Sequence, residues 1–397
     1  MDYIDLLLKQ VKDKSVYSKL KFGHLTISIK RDQLTAEVLN LIMSKIINTI
    51  KKYPSINISV EIDFGNAKFT DKLSYIYFEC ILYMIFKNYD IKINIKFKNR
   101  SSIITGGLSY SPLLRLMSSP HENYKLSENE KVKLRDTYLT TFETNQIFRH
   151  HYRVLVKHDS SSDVFCKIMS DIKTFFSVFV SDESFRSDVA DVIIELAGNA
   201  YEHTKSDCLI DIDVCRNFYR IDRDENDESN NYMGINIAIV NFSTKILGDG
   251  IKAKILSKNT EHDSRYEQVK EAYQVHKKYF DDRYNEEAFY ILCSFQDKIT
   301  ERKEDSTGGR GLTKLIKALE DKSDEHSCYV ISGKNVLYFI RDYLEYNENG
   351  WIGFNEENDF LNCVPDDRVL ASSPFFPGTA FNFNFIIQEG ENNEQCN

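Results

Sequence analysis

The chain has 397 residues, more than one ordinary domain needs, and its length predicts two domains. The formal net charge is −9, which argues against a nucleic-acid partner and against an anionic membrane surface. The longest apolar run is too short to span a bilayer, and no basic stretch precedes an apolar core at the N-terminus. We therefore expect a cytoplasmic protein without a membrane partner, whose eight cysteines are small buried hydrophobes.

The first elements in the chain alternate apolar and polar residues, at 25–29, 56–62 and 91–97. Period-two alternation is typical of strands with one covered face. Between them, 34–51 and 71–87 have apolar residues at helical spacing. Strands that alternate with helices predict crossover connections and a small sheet with helices on one face. We assign this α/β domain to residues 1–140.

Residues 100–145 are polar and interrupted, so we place the domain boundary there and assign 141–397 to a second, α+β domain. Its predicted helices are 162–180, 185–204 and 309–321, and its predicted strands are 207–216, 233–242, 327–340 and 378–387. A charged, largely helical stretch covers 246–304.

The helix Val189–His203 carries the most informative pattern in the chain. An apolar stripe at intervals of three and four residues predicts that one side packs on a sheet. Glu195 and Asn199 lie one turn apart on another side, together with Glu202. A carboxylate can orient and deprotonate a water, and an amide oxygen is a ligand suited to Mg²⁺. A solvated polar face is the alternative explanation.

Two further motifs follow. Gly308, Gly309 and Gly311 lie in STGGRGL before a predicted helix, where backbone amides and the helix dipole favour an anion. Near the C-terminus, Thr379 in PGTAFNFNF opens an alternating strand. Each signal is weak alone, but the three together, in this order, carry more information.

The three motifs resemble those of the Bergerat-type (GHKL) ATP-binding domains, found in DNA gyrase B, MutL proteins, histidine kinases and anti-sigma-factor serine kinases. ELAGNAYEH resembles the asparagine-box helix, and its closing histidine is most similar to the serine kinases. The resemblance implies a two-layer ATP-binding sandwich with ATP and Mg²⁺ as cofactors. It makes Glu195 the catalytic carboxylate and Asn199 the Mg²⁺ ligand. The implied phosphate-binding residues are Gly308, Gly309, Arg310, Gly311 and Leu312. Thr379 would contact the adenine.

The first glycine box of the family, Asp-x-Gly-x-Gly after a strand, is altered here. Asn241 falls at the aspartate position and Ser243 at the first glycine. An asparagine keeps a carbonyl acceptor for the adenine amino group, although the bond is uncharged. Asp249 in GDGI is the alternative after an insertion. We favour Asn241 because it ends the predicted strand.

The resemblance also implies that 252–305 forms a lid over the nucleotide, and its charge is typical of a mobile cover. The first domain resembles, more weakly, the STAS fold of anti-sigma-factor antagonists, with Thr70 and Ser74 as candidate phosphorylated hydroxyls. These features predict an ATPase or serine/threonine kinase that regulates signalling through a protein partner, with a possible homodimer. A nucleotide-gated interaction switch with little turnover is the alternative.

Overall fold

The computed structural model describes residues 15–97, 117–118, 127–148, 150–161, 163–218, 232–257, 264–299, 325–326 and 328–388. The chain divides into two compact units, Met1–Leu155 and Val156–Asn397, called unit 1 and unit 2 below. Both contain helices and strands, so the predicted α+β class is confirmed. In the described ranges, no helix combines the length and the apolar character that a bilayer crossing needs.

Unit 1 contains a five-stranded sheet in which most pairings are parallel. The described strands of unit 1 are β1 (Val16–Lys21), β2 (His24–Ile29), β3 (Gln33–Leu34), β4 (Ser59–Asp63), β5 (Lys68–Phe69), β6 (Lys92–Lys96), β7 (Met117–Ser118) and β8 (Gln146–Phe148). The described helices of unit 1 are α1 (Ala36–Lys52), α2 (Lys72–Asn88) and α3 (Glu128–Glu143). The sheet order is β1-β2-β4-β6-β7, with β1 antiparallel to β2 and the other neighbours parallel. The predicted strand–helix alternation is therefore present, because α1 and α2 each connect parallel strands.

The helix α3 lies in the segment that the sequence marked as polar and interrupted. Its polar character was correct, but Tyr138 and Phe142 are fully buried, and α3 packs against α2 and β6. A capping box at Ser127 and Glu130 begins the helix. The sequence analysis did not predict this helix, because two buried aromatic side chains one turn apart anchor an otherwise polar segment.

Ser74, a candidate phosphorylated residue in the sequence analysis, belongs to a second capping box. The Asp71 carboxylate accepts a hydrogen bond from the Ser74 amide at 2.7 Å, and the Ser74 hydroxyl oxygen accepts one from the Asp71 amide at 3.1 Å. Ser74 is only 7% exposed. The hydroxyl therefore has a structural role in beginning α2.

Unit 2 contains a long antiparallel sheet with helices packed on it. Its strands are β10 (Cys208–Phe218), β11 (Tyr232–Phe242), β12 (Glu325–His326), β13 (Tyr329–Tyr338) and β14 (Leu370–Gln388), and its helices are α4 (Asp163–Ser177), α5 (Glu183–Asn199), α6 (Asp249–Leu256), α7 (Ser264–His276) and α8 (Glu286–Cys293). A further strand, β9 (His151–Val156), crosses the boundary between the units and forms a hairpin with β8. The order in unit 2 is β12-β14-β11-β10, and β13 also pairs with β14. All of these pairings are antiparallel.

The helix α5 packs against α4 and against strands β10 and β11. Its buried side chains are Phe185, Val189, Ala190, Val192, Ile193, Leu196 and Ala197. They include the stripe that the sequence predicted, and they leave Glu195 and Asn199 half-buried on another side. The Asp182 carboxylate caps the helix by accepting bonds from the amides of Ser184 and Phe185.

The described part of the expected lid is a packed layer formed by α6, α7 and α8. The side chains of Val269, Phe289 and Phe295 are fully buried, and α8 packs against β13. A cover that moved as a whole would expose this apolar surface to water, at about 25 cal/mol per Å². The described part of 252–305 is therefore a fixed part of unit 2, and residues 258–263 and 300–305 of the expected lid lie outside the described ranges.

The core of this layer contains a buried histidine, His276. Its Nε2 lies 2.7 Å from the Phe360 carbonyl oxygen, and its Nδ1 contacts the Tyr284 hydroxyl. Since a carbonyl only accepts, Nε2 carries a proton. Burial lowers the pKa of His276 below its usual 6.5, against the opposing effects of the Phe360 carbonyl and Asp359.

We predict that this histidine makes the stability of the protein fall in mild acid. In the unfolded chain the ring takes up a proton below about pH 6.5, whereas the folded chain resists protonation to a lower pH. The contribution of the neutral His276 ring to the stability of the folded protein is therefore complete above about pH 6.5. It is lost as the pH falls towards the lower pKa that the ring has in the folded protein. Thermal unfolding measured from pH 7.5 to 5.5 should show a steeper decrease in Tm for the wild type than for His276→Gln. Parallel pH dependences would contradict the assignment.

Candidate functional site

Four side chains form a row across the sheet of unit 2, on one face. Asn241 on β11 is opposite Cys208 on β10 and opposite Thr379 on β14. Thr379 is in turn opposite Ser332 on β13. Directly opposed residues of antiparallel strands project from the same face, at about 4.5–5.5 Å between their Cβ atoms. The sheet therefore brings together Asn241 and Thr379, the two residues that the sequence assigned to adenine.

Ser332 connects this row to the loop after β11. Its hydroxyl donates to the Gly378 carbonyl oxygen at 2.6 Å and accepts from the Leu247 amide at 2.8 Å. The same oxygen lies 3.0 Å from Thr379 Oγ1. Ser332 thus fixes both the position of the Thr379 hydroxyl and the path of the loop. The sequence analysis did not identify Ser332, because its only signal was a serine within an apolar strand.

Gly378 allows the close approach of β14 to β11. Its φ is +106°, and a Cβ at this position would lie 2.3 Å from the Asn241 carbonyl oxygen. Only glycine adopts this conformation without strain and leaves that space empty. The glycine next to Thr379 is therefore required by the strand pairing at the row.

The side chain of Asn241 is 5% exposed and is held by two hydroxyl groups. Its Nδ2 lies 3.1 Å from Thr204 Oγ1 and 3.1 Å from Ser206 Oγ. Both hydroxyls belong to the connection between α5 and β10. The sequence analysis missed them, because the segment HTKS (residues 203–206) matches no motif, and its Thr and Ser have no spacing that indicates a site.

The segment after α5 is a π-helical turn, Ala200–Thr204, which ends at Lys205 in the left-handed conformation. Single π turns within helices are frequent at functional sites. Thr204, which contacts Asn241, lies five residues after Asn199, so the end of α5 that bears Asn199 leads directly into the segment that meets the row. Glu195 is one turn earlier, about 6 Å along the helix axis.

No described residue comes within 4 Å of a Cβ placed on Gly198, on the polar side of α5. Glu195 is half-buried, and its carboxylate makes no hydrogen bond within the described part of the chain. A carboxylate held on a packed helix can orient a water or another nucleophile.

Asp249 lies at a different place. It is exposed at the start of α6, and its Oδ2 accepts a hydrogen bond from the Ile246 amide at 3.0 Å. The glycine before it packs closely, since a Cβ on Gly248 would lie 2.6 Å from the Tyr290 backbone. The GDGI segment is accounted for by this turn and its packing on α8.

The expected phosphate-binding segment lies outside the described residues. Gly308, Gly309, Arg310, Gly311 and Leu312 all belong to it. The described part of the site therefore consists of Glu195, Asn199, Asn241 and Thr379, with Thr204, Ser206 and Ser332 as added residues.

Comparisons with protein-family models, with curated proteins and with solved structures found no match to this chain.

Proposed function

We propose that the chain is an ATP-binding protein of the Bergerat type that requires Mg²⁺ and acts as an ATPase or a serine/threonine kinase. The observation that carries the proposal is the pairing of Asn241 with Thr379, together with the contact of Asn241 to Thr204, five residues after Asn199. Residues far apart in the sequence, singled out there for one ligand, lie side by side. If each motif served only local packing, Asn241 and Thr379 would have no reason to lie next to each other.

The proposal gives each group one task. Asn241 and Thr379 hold the adenine, one through an amide oxygen and the other through a hydroxyl. Asn199 offers its amide oxygen to Mg²⁺, which prefers oxygen ligands. Glu195 orients the incoming oxygen, since phosphoryl transfer depends mainly on positioning and electrostatics. Gly308–Leu312 hold the phosphates through backbone amides.

A nucleotide-gated interaction switch is the second candidate. The specific observation in its favour is the neutral Asn241 at a position where the family has a charged acceptor, because an uncharged hydrogen bond is about half as strong. Phosphate release from purified protein, with Mg²⁺ and with a chelator, separates the two functions. Mg²⁺-dependent release supports the enzyme. Binding of ATP without release supports the switch, and a pull-down with ATP against ADP then identifies a nucleotide-dependent partner.

We predict that Asn241→Ala weakens ATP binding by about 1–2 kcal/mol, since the adenine amino group loses its acceptor in a dry site. Asp249→Ala is the matched control, because that carboxylate is exposed and bonds only within its own turn in the described structure. Titration calorimetry with ATP and Mg²⁺ measures both. A loss of affinity in Asp249→Ala with none in Asn241→Ala would move the adenine contact to Asp249.

A further inference from the structure

The protons of two hydroxyl groups can be assigned from the geometry next to Asn241. Thr204 Oγ1 lies 2.6 Å from the Ala200 carbonyl oxygen. A carbonyl has no proton to give, so the single hydroxyl proton of Thr204 is directed to it. Thr204 Oγ1 also lies 2.5 Å from Ser206 Oγ. Since the Thr204 proton is already used, Ser206 donates its own proton to Thr204.

Both hydroxyl oxygens therefore act only as acceptors towards Asn241. The amide nitrogen of Asn241 lies 3.1 Å from each, and because the two oxygens are only 2.5 Å apart, one N–H group is shared between them. This arrangement determines the orientation of the amide, and Oδ1 is the end directed away from the hydroxyl pair. An aspartate at this position would present an oxygen to both hydroxyls, and each would have to redirect its proton. The hydroxyl pair thus gives a physical reason for asparagine at this position.

We propose that Thr204 and Ser206 are positioning residues that determine which purine the site accepts. This inference rests on the proposed function. With its nitrogen directed to the hydroxyl pair, Asn241 presents the Oδ1 acceptor to the base, which matches the 6-amino group of adenine. The 6-keto oxygen of guanine would face the Oδ1 oxygen, and two acceptors with no proton between them repel each other. A freely rotating amide would present either end and would lose this selectivity.

The test is the ratio of ATP to GTP affinity, measured by titration calorimetry with Mg²⁺. In the wild type we expect ATP to bind at least about ten-fold more tightly, the effect of one buried acceptor left unpaired. In the double variant Thr204→Val with Ser206→Ala, the amide loses both acceptors while its surroundings keep nearly the same shape. The ratio should then fall towards one, through weaker ATP binding and tighter GTP binding.

Two single variants control for structural effects. Thr204→Ser keeps the hydroxyl and should retain the wild-type ratio. Ser177→Ala removes a similar hydrogen bond at the end of α4, which the Ser177 hydroxyl donates to the Thr174 carbonyl oxygen at 2.7 Å. This variant should also leave the ratio unchanged. A purely structural role of the pair would lower both affinities together without changing the ratio.

The outcomes distinguish this inference from the proposed function. Wild-type binding of ATP with an unchanged ratio in the double variant would overturn the inference and leave the function standing. Preference of the wild type for GTP would also overturn the inference. Failure of the wild type to bind either nucleotide would reject the proposed function, and the inference with it.

Discussion

Alanine at Glu195 is expected to remove most ATP turnover while ATP remains bound. In the proposed site the carboxylate acts mainly in the transition state, by orienting the attacking oxygen, and such groups contribute about 10²–10⁴-fold in rate. Removing a negative charge near a polyanion should, if anything, tighten ATP binding. Glu195 is half-buried on a helix that is packed by its other side, so the substitution leaves the core of unit 2 intact.

Asn199→Ala should behave differently, because it removes a proposed Mg²⁺ ligand. Both ATP affinity and turnover are expected to fall, and the loss of affinity should disappear when Mg²⁺ is chelated. The measurements are phosphate release and calorimetric affinity on both variants. Asp188→Ala is the matched control and should resemble the wild type, because this carboxylate lies about 10 Å before Glu195 along the axis of α5. Full turnover in Glu195→Ala would reject its catalytic role.

The second large effect concerns stability and lies in unit 1. Glu79 and Arg153 form an ion pair in which the side chains are 0% and 1% exposed. The Tyr75 hydroxyl donates to Glu79 at 2.9 Å, and the Arg153 guanidinium lies 5.6 Å from the Phe142 ring centroid. Burial, with the Glu79 charge, raises the pKa of the neighbouring Tyr138 well above its usual value, so this phenol stays neutral.

Loss of one partner of this pair should cost about 3–5 kcal/mol, because the other charge stays buried without compensation. Glu79→Leu and Arg153→Met are the single variants, and urea unfolding followed by far-ultraviolet circular dichroism measures them. The double variant should cost clearly less than the sum of the two, since it removes both charges together. Tryptophan fluorescence adds a separate probe of unit 2, because Trp351 is the only tryptophan in the chain. Additive costs below about 1 kcal/mol each, typical of an exposed pair, would contradict this account.

Local patterns in the sequence determined most of the described elements. The alternation at 25–29 and 91–97 corresponds to β2 and β6, and the apolar stripe from Val189 corresponds to α5. These predictions succeed because the periods of strand and helix follow from backbone geometry and need no distant partner. The same reasoning missed α3, whose polar sequence is anchored by only two buried aromatic residues.

The site depended on contacts that only the tertiary structure decides. The sequence by itself selected Asn241 and Thr379 by residue type and resemblance, and it left Asp249 as an alternative. The strand register places Asn241 beside Thr379, and the turn after Ile246 places Asp249 on an exposed helix start. Register is set by which faces of the strands become buried, a property of the whole sheet. The orientation of the Asn241 amide likewise follows from where two hydroxyl protons are directed, which depends on atomic distances that no local pattern specifies.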